Sequence, residues 1–209
     1  MINQKLLDRY RDNFKYIDGW FDITFLEELF KLNEVHEQKN VKGNILEIGA
    51  YQSKTFIPLS FLLKDNEQII GVDLFSSTHD WDNGILLNSL NRAEKNLKKI
   101  YQQHIKNLNY KFIKVNSKNI KSNDYINYLD NTFKYRIIHI DGNHGYNYVE
   151  HDLEQAKNII MQDGYIICDD YGLSEHADVE KATDNFLLQN KNFKINSHKA
   201  NKLVIIRSF

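Results

Sequence analysis

Two short apolar runs in this chain end in acid, and those acids are the residues best suited to chemistry. Ile137-Ile138-His139-Ile140 stops at Asp141, and Tyr165-Ile166-Ile167-Cys168 stops at Asp169-Asp170. His144 follows in the turn after Asp141. Carboxylates accept hydrogen bonds and hold hard cations, and an imidazole exchanges its proton near neutral pH. These groups acquire a joint chemistry only if the fold brings them together.

The surrounding pattern predicts that it does. β-branched runs of this length ending at Asp and Gly read as buried strands of a parallel sheet. Between them Val149, Leu153, Ala156 and Ile160 recur at helical spacing, with Asn147 and Glu150 as a capping box and Gly164 as the stop signal. A right-handed crossover lays the two strands parallel, so both acidic ends emerge on one rim. Open α/β sheets bind ligands beyond that rim.

The same alternation runs along the chain. Helices are expected over residues 21–38, 53–63, 85–105, 120–129 and 176–189, and strands over 44–49, 68–73 and 110–115. Residues 193–196 and 203–207 form a closing antiparallel pair turned around Lys199-Ala200-Asn201. The fold expected is α/β: a Rossmann-like sandwich with a mostly parallel seven-stranded sheet, a C-terminal antiparallel hairpin and helices on both faces. Residues 1–209 read as one domain, with 1–40 a helical extension and 41–209 the α/β core. Leu6, Tyr10 and Phe14 suggest a peripheral helix that could cap the sheet, cover a substrate or contact a second subunit, so a homodimer stays open. The loop at residues 74–84, with Phe75, His79, Asp80, Trp81 and Asp82, is long enough to fold over a ligand.

Composition narrows the class. At 209 residues, 42% hydrophobic and 26% charged, this is an ordinary globular chain. A net charge of -1 gives no general attraction to nucleic acid or to an anionic membrane. Cys168 is the single cysteine and reads as a small core hydrophobe. Neither a membrane-length apolar run nor a signal peptide is evident, so the expected location is cytoplasmic.

The first strand runs into Glu47-Ile48-Gly49-Ala50-Tyr51-Gln52-Ser53-Lys54-Thr55. A dinucleotide cradle needs three glycines here to approach a pyrophosphate; this turn has one. Asp73 closes the second strand, where a carboxylate can accept from two ribose hydroxyls. A nucleoside with a ribose and no pyrophosphate points to S-adenosylmethionine. Asp73 could instead serve only its turn, and Glu47 only the backbone beside it. Asn116-Ser117, ending the third strand, could reach the adenine.

LEIGAYQSKT, IIGVDLF, IHIDGNHGYNYVEHDLEQA and GYIICDDY resemble class I S-adenosylmethionine-dependent methyltransferases. More narrowly they resemble the metal-dependent sugar O-methyltransferases of the macrocin, mycinamicin and cephalosporin-hydroxylase group, over roughly residues 40–190. The resemblance implies cofactor contacts at Glu47, Gly49, Tyr51, Ser53, Asp73, Asn116 and Ser117. It also implies a divalent metal on Asp141, Asp169 and Asp170, and His144 as catalytic base beside Asp141. Ser53 stands where the group usually has a second glycine. Three carboxylates without a thiolate make a hard oxygen site suited to Mg²⁺, with Mn²⁺ or Ca²⁺ as alternatives. Such an ion favours the alkoxide of a sugar hydroxyl. The expected activity is O-methylation of a hydroxyl on a sugar, glycan or glycosylated metabolite. Acidic strand ends also cap helices, so Asp169-Asp170 has a purely structural reading. Two further readings are a binding or scaffold protein on the same fold and a nicotinamide-dependent oxidoreductase, the latter disfavoured by the turn. His139 is expected to pack in the sheet with one hydrogen bond. His151, His176, His79 and His198 are read as surface or loop residues, with His79 the one placed to touch substrate.

Overall fold

A computed structural model of the chain describes residues 3–75 and 89–208. Most of the 74–84 loop, His79 included, and the start of the helix expected at 85–105 lie outside the described residues. The strands are β1 (Asn44–Ile48), β2 (Ile69–Asp73), β3 (Tyr110–Lys114), β4 (Tyr135–Ile140), β5 (Ile160–Cys168), β6 (Phe193–Lys199) and β7 (Lys202–Arg207). They form one seven-stranded sheet in the order β3-β2-β1-β4-β5-β7-β6. β3 to β5 pair in parallel, while β7 runs antiparallel to both β5 and β6. This is the expected architecture, and the strand order reverses between β1 and β4.

Why these segments are strands is visible in their burial. β1 and β4 are buried at every position, as strands covered on both faces must be. One face carries α1 (Gln4–Asn13), α2 (Leu26–Gln38), α3 (Phe56–Ser60) and α4 (Ser89–Tyr101), around Tyr10, Leu29, Phe56, Leu97 and Ile137. The other carries α5 (Ser122–Asn127), α6 (Tyr146–Ile159) and α7 (Ala177–Gln189), around Tyr125, Leu153, Ile138, Ile166 and Phe186. No helix among the described residues is long and apolar enough to cross a membrane.

The helix expected from Leu6, Tyr10 and Phe14 forms as α1 and packs on α3 and α4, with Tyr10 fully buried and its hydroxyl donating to the Lys54 carbonyl at 2.6 Å. Two local expectations are corrected. Asn147 and Glu150 do not form a capping box; α6 starts after Gly145, and the Tyr146 amide donates to Asp178 instead. Gly164 does not stop α6, which passes at Ile160 directly into β5. Gly164 is needed inside that strand because a Cβ there would lie 2.8 Å from the Ile160 side chain.

Candidate active site

Strand-to-strand hydrogen bonds continue past the strand ends and set the rim. The Gly49 amide donates to the Val72 carbonyl, Asp141 to Ile48, and Asp169 to Ile140, at 2.8–3.0 Å. Gly49 has φ +95°, and a Cβ on it would stand 1.8 Å from the Asp141 carbonyl oxygen, so only glycine lets the two turns meet. The turn after β1 and the acidic end of β4 are thereby one construction.

A cavity of about 330 Å³ opens at this rim. Glu47, Gly49, Tyr51, Asp73, Asn116, Ser117, Asp141 and His144 all line it, together with Trp20, Lys54 and Tyr148. Of the seven residues expected to contact a cofactor, only Ser53 is absent from the wall. Ser53 is fully buried with φ 71°, so it occupies the glycine-like conformation of the turn without reaching the cavity. Asp73 accepts the Tyr51 amide on one oxygen at 2.9 Å and the Phe75 amide on the other at 2.6 Å. It therefore does serve its turn, and each oxygen keeps a lone pair for the cavity. Burial pushes its pKa up, against those two amides. Trp20 is largely exposed and stacks on Tyr51, ring centroids 6.0 Å apart, forming an aromatic lip.

Behind the wall a buried polar row crosses four strands. Glu47 on β1, His139 on β4, Asp169 after β5 and Lys202 opening β7 follow one another. His139 Nδ1 lies 3.4 Å from Glu47 Oε1, and Nε2 donates to Asp169 Oδ2 at 3.1 Å. Lys202 Nζ donates to Asp169 Oδ1 at 2.5 Å. Burial opposes a charge on His139, but the carboxylates on either side outweigh it and raise the pKa to about 10. For Asp169 burial is likewise outweighed, by His139 and Lys202, and its pKa falls. Glu47 moves the other way because burial dominates.

The three expected carboxylates are divided between two clusters, Asp141 and Asp169 in one and Asp170 in the other, each with imidazole among its members. His139, Asp141 and Asp169 bring ligand atoms within 4.8 Å of one another, and so do His144, Asp170 and His176. His144 Nε2 is 3.1 Å from Asp170 Oδ2 and 3.8 Å from Asp141 Oδ1. Its pKa is raised, chiefly by Asp141, with partial burial opposing and the charges of Asp170 and Asp169 adding. Asp141 is raised by burial and by the nearby Asp169 charge. The cluster with two carboxylates, Asp141 and Asp169, is the one whose oxygen donors and lack of a thiolate fit a hard divalent cation, while the partly open His144, Asp170 and His176 cluster is mainly imidazole.

Sequence reading missed two members. His176 packs against His144 with the rings tilted at 51° and their centroids 4.0 Å apart, and its Nε2 is 3.9 Å from Asp170. Lys202 carried one faint signal, a lysine opening a strand immediately after a tight turn. Ala200 and Asn201 both take positive φ there, and the antiparallel direction of β7 starts it at the rim where the parallel strands end.

Solved structures share the fold at low identity. NovP, an O-methyltransferase, aligns with a TM-score of 0.66 and 16% identity over 90% of this chain and 81% of its own. An O-methyltransferase from Bacillus cereus in complex with SAH gives 0.63 and 12%, over 99% and 91%. The SAH-bound Podospora anserina methyltransferase PaMTH1 gives 0.61 and 14%, over 100% and 89%. Among curated proteins none matches the chain. The family model described as a methyltransferase domain matches residues 46–171, which span the cofactor turn, the cavity wall apart from Gly19 and Trp20, and Asp141, Asp169 and Asp170, and the chain belongs to that family.

Proposed function

We propose that this protein is an S-adenosylmethionine-dependent, divalent-cation-assisted O-methyltransferase acting on a hydroxyl of a sugar or glycosylated metabolite. The observation that carries the reading is one cavity bounded by the Glu47–Thr55 turn and Asp73 on one side and by Asp141 and His144 on the other. That NovP and the Bacillus cereus protein are O-methyltransferases supports oxygen as the acceptor atom.

In this reading Gly49 and Tyr51 border the methionine part of the cofactor, Asp73 accepts from its ribose, and Asn116 and Ser117 flank its base. Asp141, Asp169 and Asp170 hold the cation, best Mg²⁺. When bound, the two groups supply an activated methyl and a Lewis acid that favours the alkoxide. The protein's own share is positioning and proton transfer. An in-line attack needs the acceptor oxygen held behind the methyl, and Trp20, Tyr51 and Tyr148 provide an aromatic mouth against which a sugar can be fixed. His144 Nε2 lies 3.1 Å from Asp170, and with Asp170 given over to the cation that nitrogen would be free to take the hydroxyl proton.

Replacing Asp141 with Ala tests the reading. Calorimetry should show S-adenosylmethionine binding retained, while S-adenosylhomocysteine release with sugar acceptors falls by about a hundredfold or more. Turnover lost in chelator but kept in Asp141→Ala would remove Asp141 from the cation's ligands. Cofactor binding with no release for any hydroxyl acceptor would favour a scaffold.

A further inference from the structure

We propose that Lys202 is a built-in counter-cation that competes with the divalent ion for Asp169, so that the site is stable without metal and holds metal weakly and exchangeably. The inference rests on the metal reading above and adds to it a residue from the other end of the chain.

Three observations carry it. First, Asp169 is the most committed of the three carboxylates: its Oδ1 accepts both Lys202 Nζ at 2.5 Å and the Asp170 amide at 2.8 Å, and its Oδ2 accepts from His139. Asp141, in contrast, lines the cavity and receives no side-chain donor closer than His144 at 3.8 Å. Second, the Lys202 and Asp169 side chains are each only 4% exposed, so water does little to screen the pair. Third, among the described residues the ammonium makes no salt bridge other than that to Asp169, and Asp22 feels its charge only at longer range. The ammonium's other neighbours are the rings of Phe21 and Phe25, with centroids at 5.6 and 5.7 Å. A cation held by one carboxylate and two ring faces is secured to Asp169 by charge, and the rings give it somewhere to rest when that charge is shared.

A divalent ion entering at Asp141 and Asp170 and drawing on Asp169 therefore meets a positive charge already on the far oxygen. Oδ1 is already doubly engaged, so sharing falls to Oδ2, which keeps one lone pair beside the bond from His139. The unfavourable part is the repulsion between two cations across one carboxylate in a poorly screened setting. Removing the lysine charge removes that repulsion and leaves His139, among the described residues, as the one remaining side-chain donor to Asp169 until metal arrives.

The experiment compares Mn²⁺ binding to the full-length wild type, Lys202→Gln and Lys202→Arg, by paramagnetic resonance of free Mn²⁺ and by calorimetry. Lys202→Gln keeps a donor of similar reach without the charge. It should bind Mn²⁺ about tenfold tighter or more than the wild type, with a Tm lowered in chelator and recovered by Mn²⁺. Lys202→Arg should bind as the wild type does. Equal or weaker binding by Lys202→Gln, with the wild type binding normally, overturns the inference and leaves the metal reading standing. Absence of Mn²⁺ binding in every form overturns the metal reading itself. Should Lys202→Gln not fold, the wild type alone decides by nitrogen-15 resonance of its buried ammonium. That signal should shift on saturation with Mg²⁺, and an unmoved signal rejects the competition.

Discussion

The sheet has two polar rims, and each buries a histidine among charges. At the amino ends of the strands, Arg136 and Glu67 are both wholly buried and paired: Nε lies 3.0 Å from Oε1 and Nη2 2.9 Å from Oε2. Nη2 also donates to the Leu62 carbonyl, and Nη1 to His36 Nδ1 at 3.1 Å. Glu67 further accepts the Gly43 and Lys64 amides, and His36 Nε2 donates to the Asp163 carbonyl. No side-chain polar atom of these three residues lacks a partner. His36 is neutral, burial pushing its pKa down to about 4 with Arg136 adding to the effect. At the carboxyl rim His139 is charged, and Glu47 Oε2, Ser53 Oγ, His139 Nδ1 and Asp152 Oδ1 are buried without a hydrogen-bond partner. A closed network of this kind specifies structure. Of those four residues with unmade bonds Glu47 alone lines the cavity, and there a ligand can complete the set.

If that distinction is right, damage to the closed rim should appear as lost stability with unchanged chemistry. Arg136→Met leaves Glu67 charged and unpaired in the interior and deprives His36 and Leu62 of a donor. We expect a loss of about 3–5 kcal/mol in urea unfolding. Whatever folded protein remains should bind S-adenosylmethionine with wild-type affinity. The pattern is the reverse of that expected for Asp141→Ala, which should spare the fold and cost turnover. A loss of cofactor affinity in folded Arg136→Met would erase the division between the rims.

A smaller effect sharpens the account of the open rim. Asp152 lies on α6 with only 1% of its surface exposed, one oxygen accepting from Ser117 Oγ at 3.2 Å and the other unpartnered. Burial raises its pKa to about 7, with Ser117 opposing. Between the unfolded value near 3.8 and this folded value the native state holds a proton that the unfolded chain has released. Stability must therefore fall as pH rises through that window, by up to about 1.4 kcal/mol per pH unit, and level off above pH 7. Asp152→Asn should flatten this slope in denaturant melts between pH 4 and 7. An unchanged slope would assign the pH dependence to other groups.

Much of this was legible in the chain because strand ends are. Runs such as Ile137–Ile140 stop at Asp141, and parallel pairing leaves such ends nowhere to go but one rim, so Asp73, Asp141, Asp169 and Asp170 could be placed together from their spacing. Lys202 and His176 could not. Lys202 reaches Asp169 only because β7 inserts beside β5 ahead of β6, a strand order that local periodicity does not encode. His176 sits at the start of α7 like any helix-end histidine, and its ring contact with His144 depends on how α6 and α7 pack. The ends of α6 misled for a related reason: tertiary partners, Asp178 at its start and the Tyr135↔Ile160 pairing at its finish, replaced the local caps.

Ser53 offers the smallest effect and the finest test of where the open rim ends. Its φ of 71° puts a side chain in the left-handed region, at a cost of about 1–2 kcal/mol relative to glycine. Its buried hydroxyl also finds no partner. Against this, glycine loses more freedom on folding, by about 0.4–1 kcal/mol. Removing the small side chain from a fully buried place leaves a minor void as well. The balance favours Ser53→Gly by about 0.5–1 kcal/mol, a rise in Tm of about 1–4 °C at this chain length. Because Ser53 does not line the cavity, S-adenosylmethionine affinity should stay as in the wild type. A more stable variant with weakened binding would mean that the serine shapes the turn for the cofactor at the expense of the fold. The open rim would then reach one residue deeper into the turn than the cavity wall.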